Sequence, residues 1–209
     1  MVDELGRLWA WGRHLAFERG FGESEDYHCF TLVDDGNDWV QAATGGWHSC
    51  ALKRDGSLWS WGRNDWGQLG VGDRENRDRP VRVGEDGDWT AVSTGSLRSV
   101  ALKRDGSLWQ WGANEGGQLD FDARATCVRP TRVGVASDWK AVAAGDGHTL
   151  ALKRDGSLWA WGSNDGGQLG LGTAWDVHDP IRVRCQAAGS RQVPAQGSTT
   201  VGQLDFGFA

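Results

Sequence analysis

Two histidines in matching contexts, four cysteines and an acidic run at Asp34-Asp35-Gly36-Asn37-Asp38 are the residues whose chemistry could be put to work. Imidazoles serve as acid-base groups or metal ligands, thiolates as nucleophiles or zinc ligands, and clustered carboxylates as calcium ligands. None of them completes a constellation. Cys29, Cys50, Cys127 and Cys185 stand tens of residues apart with no Cys-x-x-Cys pair, so all four read as free, mostly buried thiols. The acidic run lacks the ligand alternation and terminal Glu of a calcium loop and reads as a solvated turn. His48 and His148 occupy the same slot of a repeat, which favours hydrogen-bonded turn residues over acid-base groups. Gly-x-Ser-x-Gly and Gly-x-x-x-x-Gly-Lys are absent, and Gly20-Phe21-Gly22 lacks the third glycine of a dinucleotide fingerprint. The expectation is a protein with no catalytic residues, no metal and no cofactor.

Composition narrows the partners. The 209 residues carry 28 Asp and Glu against 22 Lys and Arg, a formal charge of −6, whereas a nucleic-acid binder needs a cationic surplus to displace counterions from phosphates. No run approaches the ~18 to 20 apolar residues of a membrane span, and Met1-Val2-Asp3-Glu4 has neither the basic start nor the apolar core of a signal peptide. The expected location is the cytoplasm. With 32 Gly and 14 Trp, the chain points to a repeated, turn-rich β architecture.

The repeat is explicit. Ala-Leu-Lys-Arg-Asp-Gly-Ser-Leu-Trp occurs unchanged at 51–59, 101–109 and 151–159, a period of 50 residues. Trp-x-Trp recurs as Trp9/Trp11, Trp59/Trp61, Trp109/Trp111 and Trp159/Trp161, and Asp-Trp recurs at 38–39, 88–89 and 138–139. Each unit predicts four strands. In the second unit these are 39–44, 48–53, 57–61 and a short run opening at Pro80, with a two-residue Asp55-Gly56 hairpin of type I′ between the second and third. Phe30 to Val33 fills the fourth place in the first unit. Such units bury their faces by stacking around an axis, so the fold class is all-β: a β-propeller of four-stranded antiparallel blades, partial at about 3.5 to 4 blades. The eight Trp-x-Trp tryptophans are its structural core. The divisions are a half unit over 1–33, full units over 34–83, 84–133 and 134–183, and a degenerate tail over 184–209.

Asp-Trp, Gly-x-x-His-(Ser/Thr), Ala-Leu-Lys-x-Asp-Gly and Trp-x-Trp-Gly-x-Asn-x-x-Gly-Gln-Leu-Gly together resemble the repeat of the regulator of chromosome condensation family. The resemblance covers about residues 3 to 183. It implies a propeller, usually of seven blades, in a family whose eukaryotic founder is the nucleotide exchange factor of the small GTPase Ran on chromatin and whose other members include non-catalytic binders. A plant ultraviolet-B photoreceptor also belongs to it, but the turn position that would supply its tryptophan cluster reads Trp47, Leu97, Gly147, so photoreception is not expected. Seven units of 50 would need about 350 residues, against 209 here. Three outcomes stay open: the tail completes the N-terminal half unit and closes a small ring, two copies join as half-rings in a homodimer, or the chain is a piece of something longer.

The two ends of the units differ in information content. The hairpin end repeats Lys-Arg-Asp-Gly-Ser identically, whereas the other end varies in every unit, with long loops over 13–29, 63–79, 113–129 and 163–179. The tryptophans that break the period, Trp47, Trp66 and Trp175, all fall at this variable end. Aromatic and Arg residues are common interface anchors. The candidate partner-binding residues are therefore Trp47, Trp66, Trp175, Arg98 and the charged run containing Arg74 and Arg77. The function expected is a non-catalytic protein-interaction module; the alternative is an exchange-factor-like regulator of a small GTPase.

Overall fold

A computed structural model describes residues 1–12, 27–113 and 126–184, with side chains from residue 29 onward in the second stretch. Its elements follow the 50-residue period. Unit 1 contributes β1 (Leu8–Gly12) and β2 (Tyr27–Asp34), which pair antiparallel. Unit 2 comprises β3 (Trp39–Thr44), β4 (His48–Lys53), β5 (Leu58–Gly62) and β6 (Arg77–Arg82). Unit 3 comprises β7 (Trp89–Thr94), β8 (Arg98–Lys103), β9 (Leu108–Gly112) and β10 (Cys127–Arg132). Unit 4 comprises β11 (Trp139–Ala144), β12 (His148–Lys153), β13 (Leu158–Gly162) and β14 (Val177–Arg182). In units 2 to 4 the strands lie in chain order within one antiparallel sheet. The described residues include no helix, and none long and apolar enough to cross a membrane.

Two local expectations are corrected. The fourth strand of unit 2 begins at Arg77, three residues before Pro80. Proline is tolerated inside it because β6 is the outermost strand, bonded to β5 alone, and the pairing register breaks between Ser60 and Gly62. The hairpin between β4 and β5 is a three-residue loop, since Lys53 N–H donates to Ser57 O while Gly56 N–H donates back to Lys53 O. Gly56, at φ 81°, takes the left-handed position that closes such a loop.

Packing runs between units. Each unit presents an aliphatic front to the next unit's tryptophan-bearing back. Cys50, Leu52, Leu58 and Val83 of unit 2 form one cluster with Trp89, Val92, Ala101 and Trp111 of unit 3. Leu102, Leu108 and Val133 pack likewise with Trp139, Ala151 and Trp161, and Leu8 of unit 1 with Trp39, Ala51 and Trp61. Near the axis the units converge so closely that a Cβ on Gly45 would fall on the carbonyl oxygen of Gly95, and one on Gly95 on that of Gly145.

Of the repeated tryptophans, Trp61, Trp111 and Trp161 are buried, Trp9, Trp59, Trp109 and Trp159 are half-buried, and Trp11 in the incomplete first unit is 49% exposed. The cysteine expectation is corrected in part: Cys50 is buried, but Cys29 is exposed and Cys127 only half-buried. Cys185 and the rest of the tail lie outside the described residues, as do parts of the loops after β1 and β9.

Candidate protein-binding face

The identical hairpin end is a self-contained scaffold. Ser57 N–H and hydroxyl both donate to Asp55 Oδ1, at 2.9 and 2.6 Å, and Trp59 Nε1–H donates to Ser57 Oγ at 2.9 Å. Units 3 and 4 repeat this chain through Asp105/Ser107/Trp109 and Asp155/Ser157/Trp159. The Ser hydroxyl and N–H hold all three aspartates below the usual carboxylate range. Sequence reasoning missed the role of the repeated lysine. Lys53 Nζ sits 4.5 Å from the Trp39 ring and 5.1 Å from that of Trp59, with Asp38 at 3.1 Å. Lys103 stands between Trp89 and Trp109 beside Asp86 and Asp88, and Lys153 between Trp139 and Trp159 beside Asp138. Burial opposes the charge on Lys103, but Asp86 and Asp88 outweigh it and raise its pKa. The invariance of Ala-Leu-Lys and Asp-Trp was the available signal for this cation–π and ion-pair arrangement.

At the variable end, buried Asn64 organises the loop of unit 2, its Oδ1 accepting from Leu69 N–H at 3.0 Å while its Nδ2 donates to Asp73 O. Asn164 does the same for unit 4 through Leu169 N–H and Thr173 O. On these frames the candidate anchors take different positions. Trp47 is half-buried, with the Arg63 guanidinium 5.4 Å from its ring. Trp66 is half-buried, and its main-chain N–H donates to Gln68 Oε1. Arg74 is exposed and donates to Thr126 Oγ1 of unit 3, and Arg77 is braced by Asp73 at 2.6 Å. Trp175 is 79% exposed on the loop of unit 4, whose backbone is held through Asn164 Nδ2 donating to Trp175 O. The structure thus pairs Trp47 with Arg63 and puts Trp175 on a different unit's loop.

Arg98 is the correction. It is only 4% exposed, and its guanidinium donates to Thr149 Oγ1 at 2.8 Å and to the carbonyls of Gly145 and His148. Burial lowers its pKa to about 10, partly offset by Asp146. Arg98 is a clamp between units 3 and 4 and is closed to any partner. His48 plays the corresponding part between units 2 and 3. Ser99 Oγ donates to Gln68 O at 2.9 Å, so the His48 Nε2 that lies 2.7 Å from Ser99 Oγ must be the donor. Burial pushes His48 down to about 4, which keeps the ring neutral.

A groove of about 550 Å³ runs between β1 and the axis side of unit 2, lined by Met1, Trp9, Ala10, Trp11, Ala43 and Trp47 among others. Met1 and Val2 pair with Leu8 and Trp9 at one end of it. Among the described residues no group of three or more His, Cys, Asp or Glu could hold a metal ion.

Sheet units stacked front to back through buried tryptophans, and not closed into a ring among the described residues, define a partial β-propeller built from sequence repeats. Profiles of the regulator of chromosome condensation (RCC1) repeat match residues 55–102, 105–152 and 155–196, and 39–68 and 139–168, and the chain belongs to that family. Comparison with curated proteins returned no match. Among solved structures, Prp20p from Saccharomyces cerevisiae, described with its binding properties to Gsp1p and histones, superposes with a TM-score of 0.77 at 26% identity, over 88% of this chain and 47% of that one. Yeast RCC1 (Prp20) bound to Kap60 gives 0.76 at 26% identity over 88% and 46%, and human WBSCR16 gives 0.77 at 24% over 88% and 50%. The chain spans about half the length of these solved relatives.

Proposed function

We propose that this protein is a non-catalytic interaction module that binds a protein partner through its variable loop face. The observation that carries the reading is the contrast between the two ends. One repeats the same hydrogen-bonded scaffold in every complete unit, and the other holds unit-specific aromatic and Arg residues on loops that Asn64 and Asn164 tie together in units 2 and 4, with Trp175 79% exposed. A large apolar ring held out on an ordered loop is what an interface anchor requires. Cytoplasmic location belongs to the same proposal.

A photo-crosslinking residue placed at position 175, and separately at Arg104 on the hairpin end, tests the reading, followed by binding measurements with the captured partner in purified form. We expect capture at position 175 only, and a roughly 30-fold loss of affinity on Trp175→Ala, the size of an ordinary hot spot. Equal capture at both ends, or unchanged affinity, would overturn it.

The second reading is exchange-factor-like regulation of a small GTPase, supported by the likeness to Prp20p and its binding to Gsp1p. Nucleotide release from a panel of purified small GTPases tests it directly, and no acceleration across the panel removes it.

A further inference from the structure

Two faces that the described residues leave open match each other. The front of unit 4 carries Leu150, Leu152, Leu158 and Val183, each only partly covered. Their counterparts Cys50, Leu52, Leu58 and Val83 in unit 2, and Val100, Leu102, Leu108 and Val133 in unit 3, are all buried against the tryptophan back of the following unit. The hairpin shows the same difference. Trp89 N–H donates to Gly56 O and Trp139 N–H to Gly106 O across the two complete interfaces. A Cβ on Gly56 or Gly106 would strike the next unit's backbone, whereas one on Gly156 would meet no described residue within 4 Å. At the other end, the back of unit 1 is left open among the described residues. Trp11, whose counterparts are at most 3% exposed, is 49% exposed and stacks on Phe30, itself 60% exposed, with centroids 4.4 Å apart.

We propose that a second copy of this chain docks head to tail, the aliphatic front of unit 4 receiving the Trp11 back of unit 1 from its partner, and that two such contacts close one ring. This rests on the propeller fold and not on the loop-face reading. An aliphatic front against a tryptophan back is the contact already made three times within the chain, so the new interface continues an existing one. The arc is also of a size to pair with its like: the chain superposes over 88% of its length on 47% of Prp20p. Two faces of different composition give a heterologous contact, which closes when the rotation per chain is about half a turn.

Light scattering after size exclusion, on the full chain, is the test. The expected mass is twice 22.7 kDa. Trp11→Glu blocks one face and Leu150→Glu the other, and each variant alone should run as a monomer with an unchanged far-ultraviolet circular dichroism spectrum. Mixed in equal amounts, they should regain a two-chain species, because one intact front meets one intact back. A monomeric parent chain, or single variants that stay dimeric, or a mixture that fails to pair, would each overturn the proposal. A defect in partner capture at Trp175 would leave these masses unaltered, so the two readings fail separately.

Discussion

The indole Nε1–H of Trp111 donates to the main-chain carbonyl of Gln68 at 2.9 Å, joining two units through residues 43 positions apart. Gln68 O also accepts from the Ser99 hydroxyl, so one carbonyl of the unit 2 loop fastens both the second and third strands of unit 3. With Gly56 O accepting from Trp89 N–H at the opposite end, each side of the interface is pinned to a backbone atom.

Removing the indole donor should therefore cost more than trimming an exposed ring. Trp111→Phe loses a buried hydrogen bond and part of a fully buried side chain, and should lower unfolding free energy by about 2 kcal/mol or more. Trp175→Phe, at a mostly exposed position, should stay within about 0.5 kcal/mol of the parent. Urea denaturation of the two variants compares them directly.

The hairpin glycines give a graded series. Gly56, Gly106 and Gly156 all have φ near 80°, so alanine at any of them carries about 1 to 2 kcal/mol of left-handed strain. Only at Gly56 and Gly106 does the added carbon also meet the neighbouring unit's backbone. Thermal unfolding should rank Gly156→Ala as the mildest of the three, with the other two costing roughly 3 kcal/mol or more. Equal costs at all three would show that the inter-unit contact is looser than described.

His48 makes stability pH-dependent. Its folded pKa of about 4 lies below the ordinary 6.5, so the unfolded chain binds the proton more readily and stability rises with pH across that interval. The contribution is fully present above pH 6.5 and is lost as the pH falls toward 4. At pH 5 the protein should be about 2 kcal/mol less stable through this residue than at pH 8. His48→Gln, which can still donate to Ser99, should flatten this part of the profile in chemical denaturation.

Arg98→Met distinguishes a clamp from an anchor. Taking the guanidinium away from Gly145 O and Thr149 Oγ1 should destabilise the fold by about 2 to 3 kcal/mol, while His148 O keeps its bond from Gly145 N–H. Affinity for a partner captured at Trp175 should not change, as titration calorimetry on the folded variant would show.

The architecture was legible because the 50-residue period, the Trp-x-Trp pairs and the Asp-Gly turns are all local or periodic signals. Strand 39–44 and strand 48–53 emerge with the same bounds. The start of β6 was not legible, since Arg77-Asp78-Arg79 has no apolar alternation and pairs only because β5 offers it an edge. The inter-unit fastenings were invisible for a different reason: Gln68 O and Gly56 O are main-chain atoms, and no side chain at those positions announces them. Arg98 misled because an arginine in a slot held elsewhere by histidine reads as a surface variation, whereas its length lets it reach Thr149 from a buried position. Cys29 misled because burial was inferred from residue type, and its strand is an edge of the two-stranded sheet of unit 1.

The close approach of Gly45, Gly95 and Gly145 sets the curvature of the arc. Because no carbon stands between Gly45 and the Gly95 carbonyl, or between Gly95 and the Gly145 carbonyl, neighbouring sheets can lean together at the axis and splay at the rim. The number of sheets that fit in a full circle thus depends on two missing methyl-sized volumes, at Gly45 and Gly95. Alanine at Gly45 and Gly95 would act as wedges, opening the angle at the hub and altering how many sheets complete a turn.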